Sequence, residues 1–136
     1  MTFGAIFYRG PSLLTGDSII GALTGLAGES HNPKTGPMIQ AWILRADRPP
    51  MDAVRDASDA AICGDCALRG AAGHDRKCYV VPWLGPNNVY KALGKYVEPG
   101  WADLQALVEG RAIRLGAYGD PAAVPFDIWR MLLTGA

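Results

Sequence analysis

Between Cys63 and Val80 the chain reads CGDCALRGAAGHDRKCYV, a window that holds all three cysteines and one of the two histidines. The spacing is Cys63-x2-Cys66-x11-Cys78, with His74 shortly before the last cysteine. A C-x2-C pair lets two thiolates grip one ion from a tight turn, and Gly64 and Asp65 supply the turn chemistry. With His74 the set makes a Cys3His tetrahedron for zinc. Without it, three thiolates leave one position open, as in a [4Fe–4S] cluster whose fourth iron serves a substrate or small ligand. Arg69, Arg76 and Lys77 are placed to lower the thiolate pKa and to offset an anionic cluster. Two other readings stay open: a reducible Cys63–Cys66 pair, and three inert buried thiols. A redox C-x-x-C ordinarily begins a helix, and here only Ala67, Leu68 and Arg69 separate Cys66 from Gly70. His74 sits in a glycine-rich polar stretch and reads equally well as a solvated loop residue.

A second stretch with chemical content is GAYGDPAAVP, which follows a strand-like run and precedes a helical one. Ligands often bind where a strand meets a helix, and Asp120 there can hold a cation or a ligand hydroxyl. Its competing role is to cap the helix that follows, since Asp-Pro before a helix is a common cap. Arg114 lies between Ile113 and Leu115, with pairing to an acid as its default role and anion binding second. SHNPKTGP lacks the frame of a phosphate loop and reads as a turn. Trp42, Trp83, Trp101 and Trp129 stand at core-like spacing, which favours packing over base stacking. With only His31 and His74, both in loop-like stretches, no histidine-based catalytic set is legible.

These residues need a scaffold, and the composition describes one. At 136 residues with 49% hydrophobic content, the chain is long and apolar enough to fold around a core as one domain, residues 1–136. Thirteen basic residues balance thirteen acidic ones, so no domain-wide field attracts nucleic acid, and none is expected as a partner. No apolar run is long enough to span a bilayer, and the first residues, MTFGAIFYRG, do not read as a secretory signal. The expected compartment is the cytoplasm, where thiols stay reduced and clustered cysteines favour metal ligation over disulfides.

FGAIFYRG and SIIGALTGL read as short strands, and MIQAWILRAD as a strand apolar on both faces, which suits the interior of a sheet. PPMDAVRDASDAA reads as a helix with Asp52 in its first turn. CYVVPWL is apolar and β-branched and reads as a strand or extended stretch. GPNNVYKALGKY is helical, with Asn87 or Asn88 as its cap. GWADLQALVEG is a helix ended by Gly110, RAIRLGAYGD a strand, and PAAVPFDIWRMLL a final helix with Phe126, Trp129 and Leu133 on one stripe. Alternating strands and helices predict an α/β or α+β class.

Three blocks, NPKTGPMIQAWILRAD, AICGDCALRG…KCYVVPWLGPNNVYKA and IRLGAYGDPAAVPFDIW, resemble a family encoded by phages and prophages, itself similar to radical-SAM-like phage gene products. The resemblance runs from about Gly10 to Trp129. It implies a partial βα barrel, a radical-SAM-like half barrel, with a metal cluster near the strand ends. It assigns Cys63, Cys66 and Cys78 to the cluster, Tyr79 to the aromatic beside the last ligand, and Gly119 with Asp120 to a strand-end site. The compact Cys-x3-Cys-x2-Cys signature of radical SAM enzymes is absent, so S-adenosylmethionine is not implied. The expected function is therefore a phage-type protein holding an iron–sulfur cluster, or zinc, through three cysteines. The alternative is a non-catalytic host-interaction protein, such as an inhibitor of a CRISPR-type bacterial defence complex, because the resemblance implies longer relatives of which this chain is a shortened form. The expected partner is a small molecule or a host protein. The uncovered side of a half barrel also predicts a homodimer.

Overall fold

The strand apolar on both faces is indeed interior. The computed structural model describes residues 4–26, 38–69, 76–78, 80–134 and 136. In it Ile39–Arg45 forms β3, hydrogen-bonded to a strand on each side. β1 (Gly4–Pro11) and β2 (Ser18–Thr24) form an antiparallel hairpin, and β2 runs antiparallel to β3. β4 (Ile113–Tyr118) lies parallel to β3 and completes the order β1-β2-β3-β4. The architecture is a small mixed α/β domain. A βα barrel requires parallel strands throughout, and among the described strands only the β3–β4 pair runs that way.

The helices are α1 (Pro50–Arg55), α2 (Ala60–Cys63), α3 (Gly85–Ala92), α4 (Trp101–Val108) and α5 (Phe126–Leu133). Ile19, Leu23, Ile39, Ile43 and Leu44 of the sheet join Ile62, Leu104, Val108, Trp129 and Leu132 of the helices in one core cluster. Removing such side chains from water is the main favourable term holding the elements together.

Four expectations are corrected by this arrangement. The single helix read from PPMDAVRDASDAA is two, α1 and α2, broken at Ala57, whose φ of 62° is left-handed. Asp56 explains the break: its carboxylate accepts from the Ser58 amide and hydroxyl at 2.9 and 2.5 Å, a local turn that competes with helix continuation. CYVVPWL forms no strand among its described residues; Pro82, with no N–H to give a ladder, sits in a turn that leads into α3. Asn87 and Asn88 lie inside α3, where Leu84 occupies the cap position and Pro86 the first turn. On α5 the core takes Trp129 and Leu132, and leaves Phe126 and Leu133 exposed. Gly110, by contrast, adopts the left-handed φ of 70° expected just past a helix end.

Arg45, at the end of β3, is 7% exposed and anchors the sheet to the α1–α2 break. It donates to Asp47 at 2.9 Å and to the Ser58 carbonyl at 3.1 Å, and reaches Asp17 at 3.2 Å. The Thr15 hydroxyl first, then Arg45, hold Asp17 below its ordinary value of 3.8. Arg45 and Arg48 do the same to Asp47, and Ser58 followed by Arg48 to Asp56. Carboxylates depressed in the folded state contribute stability above their unfolded pKa and lose it as pH falls through the folded values. Denaturant titrations from pH 6 to pH 3 are expected to show stability falling below about pH 4. A flat or rising profile there contradicts the role given to these three groups.

Among the described residues no helix is long and apolar enough to cross a membrane.

Candidate functional site

The C-x2-C turn is built as its glycine predicts. α2 ends at Gly64, whose φ of 58° is left-handed, and the Cys66 amide turns back to the Cys63 carbonyl at 3.3 Å. Cys63 is thereby fixed at the end of a buried helix while Cys66 projects to the surface. Cys78 returns through the backbone: the amides of Lys77 and Cys78 both donate to the Leu68 carbonyl, at 2.9 and 3.0 Å.

Behind the cysteines lies a buried charge cluster absent from the sequence reading. Asp59, at the start of α2, is 1% exposed, with Arg69 at 3.6 Å and Arg76 at 3.7 Å from its carboxylate oxygens. Arg69 also donates to the carbonyls of Gly64 at 2.9 Å and Ala57 at 3.3 Å. Arg76 donates to the carbonyls of Arg69 at 3.2 Å and Val80 at 3.3 Å. One carboxylate thus ties the helix of Cys63 to the segments that carry Cys66 and Cys78. Burial pushes the Asp59 carboxyl above its ordinary range, against the pull of the two guanidiniums.

β4 closes the other wall. Gly119, just past its end, has a φ of 88° and approaches so closely that a Cβ there would lie 2.8 Å from Cβ of Ile43. The next amide, of Asp120, donates to the Ile62 carbonyl on α2 at 2.5 Å. The strand end and the cysteine helix are therefore joined backbone to backbone.

The result is a cavity of about 180 Å³ lined by the three cysteines together with Arg69, Arg76, Val80, Gly116, Tyr118, Gly119 and Asp120. Since a water molecule needs roughly 10–15 Å³ of such space, the cavity has room for a larger group. Gly119 and Asp120, distant in sequence from the cysteines, thus line the same cavity, and so does Gly116, which the sequence reading had not singled out. Arg114, at the far end of β4, is not among the lining residues. Asp120 caps, but not the final helix as expected: its carboxylate accepts from the Ala122 amide at 2.9 Å at the start of a short 3-10 turn, Pro121–Ala123, while Pro125 stands at the cap position of α5. His74, His31 and Tyr79 lie outside the described residues.

Electrostatics correct one expectation. The arginines do not activate Cys63; burial first, then Asp59, pushes its thiol up to about 12, with only Arg76 pulling it down. A thiol that holds its proton so firmly is a poor redox nucleophile. Tyr118 was missed because nothing in AYGD marks it. It is 2% exposed, and among the described residues its hydroxyl has no hydrogen-bond partner, nor have Nε of Arg76 and the two carboxylate oxygens of Asp59, whose arginines stand at ion-pair distance only. Buried unpaired polar groups are costly enough that such a group calls for an explanation.

Among the described residues, no three His, Cys, Asp or Glu side chains stand in the arrangement of an assembled metal site. What the chain supplies is three thiols on one cavity wall, backed by two guanidiniums and one carboxylate. Among these buried groups one positive charge is left over. A dication held by three thiolates carries one negative charge, and so does a [4Fe–4S] core of the same charge. The donor set and the charge behind it suit such a centre once the thiolates turn inward. Comparison with known proteins adds no further constraint: no protein-family model, curated protein or solved structure matches this chain.

Proposed function

We propose that this protein binds a metal centre through Cys63, Cys66 and Cys78: an iron–sulfur cluster, or zinc with a fourth ligand such as His74. The observation that carries this reading is the convergence of three cysteines and a strand-end turn on one cavity backed by surplus positive charge. Binding deprotonates the thiols, since the ion replaces their protons, so the high Cys63 pKa slows adventitious oxidation without preventing ligation. The Tyr118 hydroxyl, unpaired among these groups, is a donor suited to a thiolate or bound sulfide. Among the described residues that line the cavity, Asp120 is the carboxylate placed to act as a base.

A radical-SAM-like, phage-type origin is part of the proposal. It rests on the three sequence blocks; of the described sheet, the parallel β3–β4 pair is the part that a barrel would share. A small-molecule ligand in the cavity and residence in the host cytoplasm go with it. A host-interaction role, such as inhibition of a defence complex, is the second reading. It is favoured by Leu68, Trp83 and Leu84, large apolar residues between 51% and 58% exposed beside the cysteine segment.

Protein purified without oxygen is expected to contain iron with acid-labile sulfide, or zinc, at about one centre per chain. The triple Cys63→Ser, Cys66→Ser, Cys78→Ser variant is expected to lose it. Tyr118→Phe is expected to weaken metal retention against a chelator by about 10–100-fold, the usual cost of removing an outer-shell partner. Colourless protein without stoichiometric iron or zinc contradicts the reading. Capture of a host protein by the folded triple-serine variant would favour the second.

A further inference from the structure

The cysteine cavity holds two donors that the described chain leaves without an acceptor. Arg76 is clamped through its terminal nitrogens. Nη1 donates to the Arg69 carbonyl at 3.2 Å and stands 3.7 Å from the Asp59 carboxylate, while Nη2 donates to the Val80 carbonyl at 3.3 Å. Its Nε has no hydrogen-bond partner among the described residues. Neither has the Tyr118 hydroxyl, on a side chain only 2% exposed. Both residues line the cavity of about 180 Å³. Asp59 faces two guanidiniums, so one positive charge is left over behind the wall. Cys66 and Asp120, both exposed and both lining the cavity, mark where it opens to solvent.

We propose that the metal-free cavity binds a short monocarboxylate, whose oxygens accept from the Tyr118 hydroxyl and from Nε of Arg76. A carboxylate supplies what both donors lack, acceptor oxygens, and hydrogen bonds to an ionised group are the stronger kind. Its single negative charge matches the single positive charge left over. A dianion would exceed that charge and meet the Asp120 carboxylate at the mouth, which is repulsive. The Val80 side chain and Gly116 give the remaining wall room for a short apolar tail. Carboxylate binding needs only the cavity and stands independently of the metal reading. A centre on the three thiolates with one net negative charge would use the same surplus charge, so metal and carboxylate exclude each other.

The test is isothermal titration calorimetry of protein stripped of metal, with sodium propionate at constant ionic strength. Saturable one-to-one binding is expected, with Kd at about 1 mM or below. Propionamide, of the same shape without the charge, is expected to bind at least tenfold more weakly, and so is sulfate. Tyr118→Phe is expected to weaken propionate at least tenfold, the scale of one hydrogen bond to a charged group. The same variant should unfold at an unchanged or higher denaturant midpoint, because the lost hydroxyl has no partner in the empty cavity. Absence of saturable binding overturns the proposal. So does propionamide or sulfate binding as tightly as propionate, or a folded Tyr118→Phe protein of unaltered affinity. Zinc added to the propionate complex is expected to displace the carboxylate, and zinc bound without displacement overturns the shared use of the charge. Protein that binds propionate but no zinc supports the carboxylate site and contradicts the metal centre alone.

Discussion

Asp59→Ala is expected to cost the fold about 3–5 kcal/mol, the range for removing one partner from a buried ion cluster. Asp59 is 1% exposed, and the side chains of Arg69 and Arg76 are 12% and 17% exposed. Without the carboxylate, two nearly buried guanidiniums face each other with no anion. Burial raises the Asp59 carboxyl above its ordinary range, and Arg69 and Arg76 pull it the other way. Buried ion clusters are often no net gain over apolar side chains of similar size, and this one holds three segments in one place. A sharper expectation follows: replacing all three residues with apolar ones of similar size should cost less than Asp59→Ala alone. Denaturant unfolding of the metal-free protein measures both. A loss below about 1 kcal/mol for Asp59→Ala, the scale of a surface pair, contradicts the role given to the cluster. Because this carboxylate ties Cys63 to the segments of Cys66 and Cys78, the variant is also expected to lose metal in parallel with stability.

Gly119→Ala is the second large effect. Two independent penalties meet there. The φ of 88° is left-handed, which costs a residue with a Cβ roughly 1–2 kcal/mol. The added Cβ would also stand 2.8 Å from Cβ of Ile43 and 3.1 Å from its carbonyl oxygen, an overpacking worth about 1–3 kcal/mol. Together they predict a loss of about 2–5 kcal/mol. Gly110 is the control, with a φ of 70° and nothing within 4 Å of the position of a Cβ. Gly110→Ala should pay the conformational cost alone. Equal losses for the two variants in the same unfolding measurement would contradict the close approach of β4 to β3. The site feels the same push, since the neighbouring Asp120 amide holds α2 through Ile62. Gly119→Ala is therefore expected to disturb metal retention, and Gly110→Ala to leave it unchanged.

Both positions show where local sequence reading stops. Gly119 was legible as a strand-end glycine next to a helix cap, because a turn there needs left-handed backbone and Asp-Pro is a capping pair. That its missing side chain admits Ile43 was not legible, since Ile43 is on another strand. Asp59 was invisible for the same reason. In DASDAA it reads as one more solvated helix acid, and only the return of Arg69 and Arg76 over α2 makes it a buried counter-ion.

By itself, the sequence determined the features that depend on neighbours along the chain. The short apolar strands β1 and β2, the two-sided apolar run of β3, the left-handed glycines at 64 and 110, and the tight C-x2-C turn all follow from local propensity and side-chain periodicity. Two differences were local and missed in reading: the Asp56–Ser58 turn cut one expected helix in two, and Pro82 lies in a turn rather than a strand. Tertiary structure decided the rest. Core packing chose Trp129 with Leu132 over the stripe that periodicity suggested, leaving Phe126 exposed. It also gathered three cysteines, a strand end and a buried ion cluster around one cavity. The physical reason is range: hydrogen bonds and backbone preferences act over a few residues, whereas burial and buried charge respond to whatever the fold brings near.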